Sequence, residues 1–370
     1  MRGRTVRAAV LEASGAPLVL RDDVRIADPG PGQVRVRVAY CGVCHSDLSI
    51  VDGAFPSPLP VILGHEASGV IEAVGPEVDG LAVGDPVVLS PLPPCGHCYW
   101  CVRGEPGVCA NAAGITTNAL PDGTTGLSRQ DTLVYRGVGV GAFGDHVLTP
   151  ATGAVKIPAD VPLDVACVIG CAVQTGVGAV LNTAHVEEGA TVLVMGLGGV
   201  GLSVVQGARI AGAVRIIAVD PVAARRQAAL AFGATDVIDP TTEDVTTRTR
   251  ALTEVGADYA FDVVGRGSLV TTALWATRNG GTVVCVGAAP LGDSITIDPA
   301  ALFTISEKKL LGCALGSCNS LREIPRLIAL WRTGRLDLEG LITHRRPLAE
   351  VNEALADLRA GRGIRTVLAH

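Results

Sequence analysis

Eleven cysteines lie along this chain of 370 residues, and four of them fall in one short run. The stretch CGHCYWCVRGEPGVC places Cys95, Cys98, Cys101 and Cys109 in a C-x2-C-x2-C-x7-C pattern. Four thiolates this close fit a closed tetrahedral zinc site, which stiffens a loop rather than doing chemistry. A compact iron–sulfur motif would carry its fourth cysteine sooner and follow it with proline; here Ala110 follows. A second set of donors is dispersed. Cys41 and Cys44 form a C-x2-C pair in VAYCGVCHSDL, His65 and Glu66 sit in the glycine-flanked GHEASG, and Cys167 and Cys171 lie further on. Taken alone, the Cys41/Cys44 pair suits a zinc knuckle, a redox dithiol, or one ligand beside a bystander. Cys44, His65 and Cys171 together make a candidate Cys2His site with one open position, the arrangement of a catalytic zinc. Cys285 and Cys313 lie in apolar runs and are expected in core packing, while Cys318 sits in a polar turn without a signal.

A phosphate-binding signature follows in TVLVMGLGGVG. Gly196, Gly198 and Gly201 stand in G-x-G-x-x-G order, with Gly199 and Val200 inside the same turn. The run begins as a strand and opens a helix. The first glycine allows the tight turn, the second lets the backbone approach a pyrophosphate, and the third lets helix and sheet pack closely. The helix N-terminus offers unpaired N–H groups to the phosphates. Asp220 closes the next strand, where an acid that binds a ribose hydroxyl belongs. A 2′-phosphate would be repelled there, so NAD is expected over NADP. Arg225 and Arg226 beside it temper that preference, or are simply charges on a helix surface.

These groups need a scaffold, and the pattern supplies two kinds. QVRVRVAY, SGVIEAVG, DPVVLS and GDHVLTP alternate in the manner of short antiparallel strands in a barrel or curled sheet. From about residue 173 the rhythm becomes strand, helix, strand. TVLVM, RIIAVD, YAFDVVG and TVVCVG are apolar runs separated by Ala-rich helical stretches, the pattern of a doubly wound parallel sheet. Two further helices follow residue 316, in LREIPRLIALWRTG and LAEVNEALADLRAG. Residues 110–142 form a Gly/Thr-rich excursion expected to be an ordered lobe. Hydrophobic residues are 48% and charged residues 18%, which excludes a disordered chain. The net charge of −6 argues against nucleic acid and anionic membranes as partners. Glu12 interrupts the N-terminal apolar run too early for a secretory signal, and the apolar stretch 191–208 is better explained by the glycine-rich turn. A cytoplasmic protein is expected, with cysteines serving as ligands or buried apolar groups rather than disulfides.

The motifs GVCHSD, GHEASG, the four-cysteine lobe, GCAVQTG, GLGGVG and LRAGRGIRTVL occur in order over nearly the whole chain. In this the sequence resembles the zinc-dependent medium-chain alcohol dehydrogenases of the longer form, which carry a structural zinc lobe. The resemblance implies a mixed α/β fold with a GroES-like β-barrel catalytic domain over 1–172 and a structural zinc lobe at about 94–110. A Rossmann NAD-binding domain would cover 173–315, and 316–370 would complete the catalytic domain. It implies NAD, two zinc ions per chain, and a homodimer or homotetramer built through the Rossmann domain. It makes Cys44, His65 and Cys171 the catalytic zinc ligands and Cys41 a bystander. Glu66 lies near the metal in relatives, and Asp47 resembles the carboxylate that orients the zinc-bound histidine.

By the same resemblance Ser46 accepts the alcohol proton, and relatives pass it on to a histidine where this chain has Ser49. An alcohol-oxidation pH profile without a histidine limb near pH ~6.5 is therefore expected. His45 and Arg365 match pyrophosphate contacts, Arg225 a basic residue near the adenosine ribose, and Thr175 a residue near the nicotinamide. Phe55, Pro91 and Gly137 fall at substrate-pocket positions, and the last two lack the bulky aromatics of some ethanol-type relatives. Longer primary, allylic or benzylic alcohols are expected. A thiol-dependent formaldehyde dehydrogenase, or an enzyme that keeps NAD(H) permanently bound and uses an external acceptor, are the alternatives. A zinc-less quinone reductase would lack the Cys44/His65/Cys171 set, and a nucleic-acid-binding zinc module would need a basic face.

Overall fold

The computed structural model describes residues 3–370, and the chain divides into two compact units. One comprises the residues up to Ala172 together with Asn319–Gly334 and Leu338–His370; the other comprises Val173–Cys318 and Arg335–Asp337.

The first unit is built on strands that alternate. In Gln33–Gly42, Val34, Val36 and Val38 point into the core, while Arg37 faces solvent. β-branched side chains suit this half-buried, pleated surface. This strand is the hub of a seven-stranded sheet ordered Ala154–Lys156, Pro86–Leu89, Glu66–Val74, Gln33–Gly42, Arg365–Ala369, Ile342–Pro347, with His146–Pro150 also paired to the hub. Irregularities in register at Arg35/Val36 and Val38/Tyr40 add local twist. A second sheet of six strands runs through Val19–Ala27 and Gly3–Leu11 to the two-residue strands Val61–Ile62 and Tyr135–Arg136. The C-terminal segment returns to close the first sheet, with Leu368 opposite Cys41. Its helix Val351–Arg359 lays a stripe of Val351, Ala354 and Leu355 on the same core. Residues 110–142 hold only short helical turns and strands of two or three residues.

The second unit is a six-stranded parallel sheet. Its order is Asp236–Ile238, Arg215–Val219, Thr191–Met195, Ala257–Asp262, Thr277–Cys285, Lys309–Gly312. Numbered along the chain this is 3-2-1-4-5-6, the doubly wound arrangement that binds dinucleotides where the order reverses. Its strands are buried on both faces, so they read as continuous apolar runs rather than alternations. Leu193, Ile217, Ala260 and Val283 pack against Val270, Ala273 and Leu274 of the helix Gly267–Ala276. The stretch 191–208 is thus a strand followed by the helix Gly199–Ala211, and among the described residues no single helix is long and apolar enough to cross a membrane. Two cysteines depart from the expected core packing. Cys285 and Cys313 are half-buried, the former because it ends its strand beside a cavity, and it is Cys318 that is buried.

Candidate active site and coenzyme site

Cys44 directly precedes the helix His45–Val51. Three positions later Asp47 turns back, and its Oδ2 accepts the Cys44 N–H at 3.0 Å. Its Oδ1 accepts the Gly64 N–H at 2.9 Å and the His65 Nδ1–H at 3.2 Å. One wholly buried carboxylate therefore holds two ligand residues that lie far apart in sequence. His65 follows Gly64, whose φ of 87° and position against Phe143 require glycine. Cys171 follows Gly170, where a Cβ would meet the Leu89 carbonyl oxygen at 2.6 Å. Close approach of backbone to backbone thus brings the third donor in.

Cys44, His65, Glu66 and Cys171 each offer one ligand atom, all within 4.8 Å of one another. Tetrahedral zinc at its usual bond lengths sets S and N donors roughly 3.5–3.8 Å apart, so the set fits such an ion with small closure. Two sulfurs and an imidazole are zinc donors rather than magnesium or calcium donors. The electrostatics agree. A hydrogen bond from the Cys171 thiol is the largest influence on Cys44 and holds it well below the usual thiol range, against burial and with help from His65. The same bond raises Cys171. Burial opposes charge on His65, but Asp47 and Cys44 outweigh it and raise its pKa.

Glu66 is buried and neither carboxylate oxygen has a hydrogen bond. Burial lifts its pKa to about 7, moderated by Arg365, whose Nε lies 3.3 Å from Glu66 Oε2. Arg365, matched to a phosphate contact by resemblance, is buried here and donates from Nη1 to the Val43 carbonyl at 2.6 Å. Ser46 is half-buried, its Oγ 3.9 Å from Cys44 Sγ. Cys41 and Cys167 are buried, with thiols turned to the Gly42 and Asp164 carbonyls. Gly42 is a residue that sequence reasoning missed. A Cβ there would collide with Glu66 Oε2, so the glycine of CGVC makes room for that carboxylate. Of the pocket positions, Phe55 packs half-buried on the core, Pro91 is buried, and Gly137 abuts Leu63, two residues before His65. His45 is exposed and Ser49 half-buried.

The lobe cysteines also converge, with ligand atoms within 4.8 Å. N–H groups of Cys95 and Asn111 point at Cys109 Sγ, and that of Cys98 at Cys95 Sγ, at 3.3–3.4 Å. Backbone donors, chiefly Ala110, lower Cys98 to about 6, whereas burial lifts Cys109 to about 12.

In the second unit Gly196 has φ 95°, and a Cβ on Gly201 would overlap the Gly196 carbonyl oxygen. Gly198 has nothing within 4 Å of where a Cβ would stand, leaving its backbone open to a ligand. Gly199 and Val200 begin the helix. Asp220 braces this turn: its Oδ2 accepts the Leu197 N–H at 2.9 Å and its Oδ1 that of Val222 at 2.8 Å. Arg225 Nη1 lies 3.8 Å from Asp220 Oδ2. Thr175 is buried in the helix Ala172–Gly178. A second feature without a sequence signal is the backbone of Leu315, Gly316 and Ser317, all at positive φ. The Thr183 and Ser317 hydroxyls, 2.8 Å apart, hold that segment to its own unit.

A parallel dinucleotide fold in one unit and a Cys2His donor set in the other are together the marks of a zinc-binding dehydrogenase. The profile of the alcohol dehydrogenase GroES-like domain matches residues 30–159 and that of the zinc-binding dehydrogenase family residues 199–331. A Mycobacterium tuberculosis protein provisionally named alcohol dehydrogenase D is 37% identical over 373 residues, covering 98% of this chain and 99% of its own length. Two solved structures superpose with a TM-score of 0.93 and cover 99% of both chains. They are an alcohol dehydrogenase zinc-binding domain protein from Burkholderia ambifaria, 36% identical, and the benzyl alcohol dehydrogenase of Acinetobacter calcoaceticus, 33% identical. The chain belongs to the zinc-dependent medium-chain alcohol dehydrogenase family, and is an oxidoreductase of the alcohol dehydrogenase type.

Proposed function

We propose that this enzyme reversibly oxidises primary alcohols of medium-chain, allylic or benzylic type to aldehydes, with NAD as acceptor and two zinc ions per chain. The observation that carries the reading is the convergence of Cys44, His65 and Cys171 beside the Ser46 hydroxyl. When bound, zinc supplies Lewis acidity that lowers the pKa of an alcohol hydroxyl, and NAD accepts a hydride. Cys44 and Cys171 would hold the cation as thiolates. Asp47 keeps the His65 proton on Nδ1, which would leave Nε2 as the donor to the cation. Ser46 Oγ would accept the alcohol proton while releasing its own hydroxyl proton onward. With Ser49 in place of a relay histidine, the proton leaves through water. Pro91 and Gly137 add no aromatic bulk, and the likeness to a benzyl alcohol dehydrogenase supports an aromatic-tolerant pocket. A homo-oligomer formed through the second unit is supported by the exposed apolar Leu291 and by exposed Ile305, four residues before the edge strand Lys309–Gly312.

The test is NADH formation across ethanol to octanol, with benzyl and geranyl alcohols. Each buried CH2 contributes about 0.8 kcal/mol, so kcat/KM is expected to rise about fourfold per carbon until the pocket is filled. A flat series, or a preference for ethanol, refutes the open pocket. Absence of turnover with every alcohol refutes the alcohol reading in favour of a thiol adduct or a permanently bound coenzyme.

A further inference from the structure

A cavity of about 540 Å³ opens in the second unit at the carboxyl ends of the strands Thr191–Met195 and Arg215–Val219. Asp220 and Pro221 form one wall, Pro240 and Thr241 another, and Gly196 lies at its head. It adjoins the glycine-rich turn, where the adenosine half of a dinucleotide lies in this strand order. The two walls continue from neighbouring parallel strands whose pairing ends at Val219 and Ile238, and past that point their backbones are linked by a long Asp220 N–H to Ile238 carbonyl bond of 3.4 Å.

Arg226 bridges them. It lies on the helix Ala223–Phe232, and its side chain is only 16% exposed, unlike the helix-surface charge its sequence position suggests. Nη1 donates to the Asp220 carbonyl at 2.6 Å, and Nη2 lies 2.8 Å from Asp239 Oδ2. The other oxygen of Asp239 accepts the Thr241 N–H at 3.0 Å and its hydroxyl at 2.6 Å, and the Asp239 carbonyl accepts the N–H groups of Thr242 and Glu243. A continuous chain of bonds thus runs from the ribose-binding acid through Arg226 and Asp239 to the opposite wall. A guanidinium can make both contacts at once because its fork is planar and rigid; an ammonium makes a single point contact.

We infer that Arg226 is a positioning residue for the coenzyme, fixing the gap between the Asp220 and Thr241 walls of the adenosine cavity through Asp239. This rests on the NAD-dependent reading. The test uses the zinc-loaded enzyme and three variants, Arg226→Met, Asp239→Asn and the double variant. AMP and nicotinamide mononucleotide probe the two halves of the site separately, by competition with NADH fluorescence. Arg226→Met is expected to weaken AMP and NADH about tenfold, the size of one charged hydrogen bond. Nicotinamide mononucleotide binding should not change, and KM for NAD should rise while kcat stays within about twofold. Asp239→Asn should do the same, and the double variant should lose no more than the worse single one. Arg226→Lys, which keeps the charge but not the fork, should fall between. Wild-type AMP affinity in Arg226→Met, losses that add in the double variant, or equal losses for both half-ligands would overturn the inference. If the wild type prefers NADPH, the NAD reading fails, while the AMP comparison still decides the role of Arg226.

Discussion

Replacing Asp47 by asparagine tests how the proposed catalytic metal set is held. The carboxylate accepts three hydrogen bonds, from the Cys44 N–H, the Gly64 N–H and the His65 imidazole. An amide has one oxygen. Oriented to keep the Gly64 and His65 bonds, it turns its NH2 towards the Cys44 N–H, donor against donor; flipped, it loses two bonds. The better arrangement still forfeits one bond to a charged acceptor, about 1.5–3 kcal/mol, and removes the charge that steadies His65. Most of this falls on the geometry of the donors, so zinc affinity should drop by about 10–100-fold, the range found for residues that support metal ligands. The four-cysteine lobe makes no contact with Asp47 and is an internal control. Zinc release to a chromogenic chelator should therefore show two phases, with only one of them accelerated in Asp47→Asn. Two wild-type phases would mean that Asp47 does not hold the ligands. Equal acceleration of both would mean general destabilisation, and either result refutes the reasoning.

The glycine turn separates folding from binding. Gly198→Ala adds a methyl group into open space, so its melting temperature should match the wild type while NADH binding, followed by fluorescence, weakens at least about tenfold. Gly201→Ala drives a Cβ into the Gly196 carbonyl, so both melting temperature and NADH binding should fall. Cys98→Ser removes one donor of the lobe, and metal analysis should find about one zinc per chain rather than two, with limited proteolysis cutting within residues 95–112. Stability should decline in acid through Glu72. Burial would raise its pKa, but bonds from Arg35 and His146 outweigh burial and lower it, so its contribution is full above the ordinary carboxylate range and lost as pH falls through the folded value. His146 is itself lowered, by burial against the pull of Glu72, so the unfolded chain binds its proton first and stability falls already as pH drops below about 6.5. Thermal melts against pH should show both limbs, and Glu72→Gln should flatten the more acidic one.

The coenzyme unit was the more legible half of the chain, for a physical reason. Strands buried on both faces must be apolar throughout, and a helix that opens on a phosphate needs glycine at set intervals, so both write themselves into contiguous residues. Even there the run TVVCVG understates its strand, which starts at Thr277 because that residue pairs with Ala257 across a register shift. In the first unit Val61–Ile62 and Tyr135–Arg136 are too short to leave a pattern; the second exists by pairing with the first, which itself lies against Val10 and Leu11. The candidate metal donors could be read from residue type, but their mutual distances could not, since they depend on close approaches at Gly64 and Gly170 that only the folded chain makes.

The same distinction explains why the residues that position others escaped notice. Cys44, His65 and Asp220 carry atoms suited to act directly on a ligand, so their types announce them. Gly42 and Arg226 are chosen for what they do to a neighbour. Gly42 matters because Glu66 needs the volume a Cβ would take, and Glu66 arrives from the adjacent strand, with Gly42 and Glu66 directly opposite in register. Arg226 matters because Asp239, thirteen positions on, directly follows the next strand of the sheet, Asp236–Ile238. Neither pairing has a sequence spacing of its own: sheet register sets the first, and the lie of a helix against the end of a strand sets the second. Substitutions at such positions should then act on affinity and geometry with the reacting groups intact. A rise in KM for NAD in Arg226→Met, at a kcat close to that of the wild type, would be the measured form of that difference.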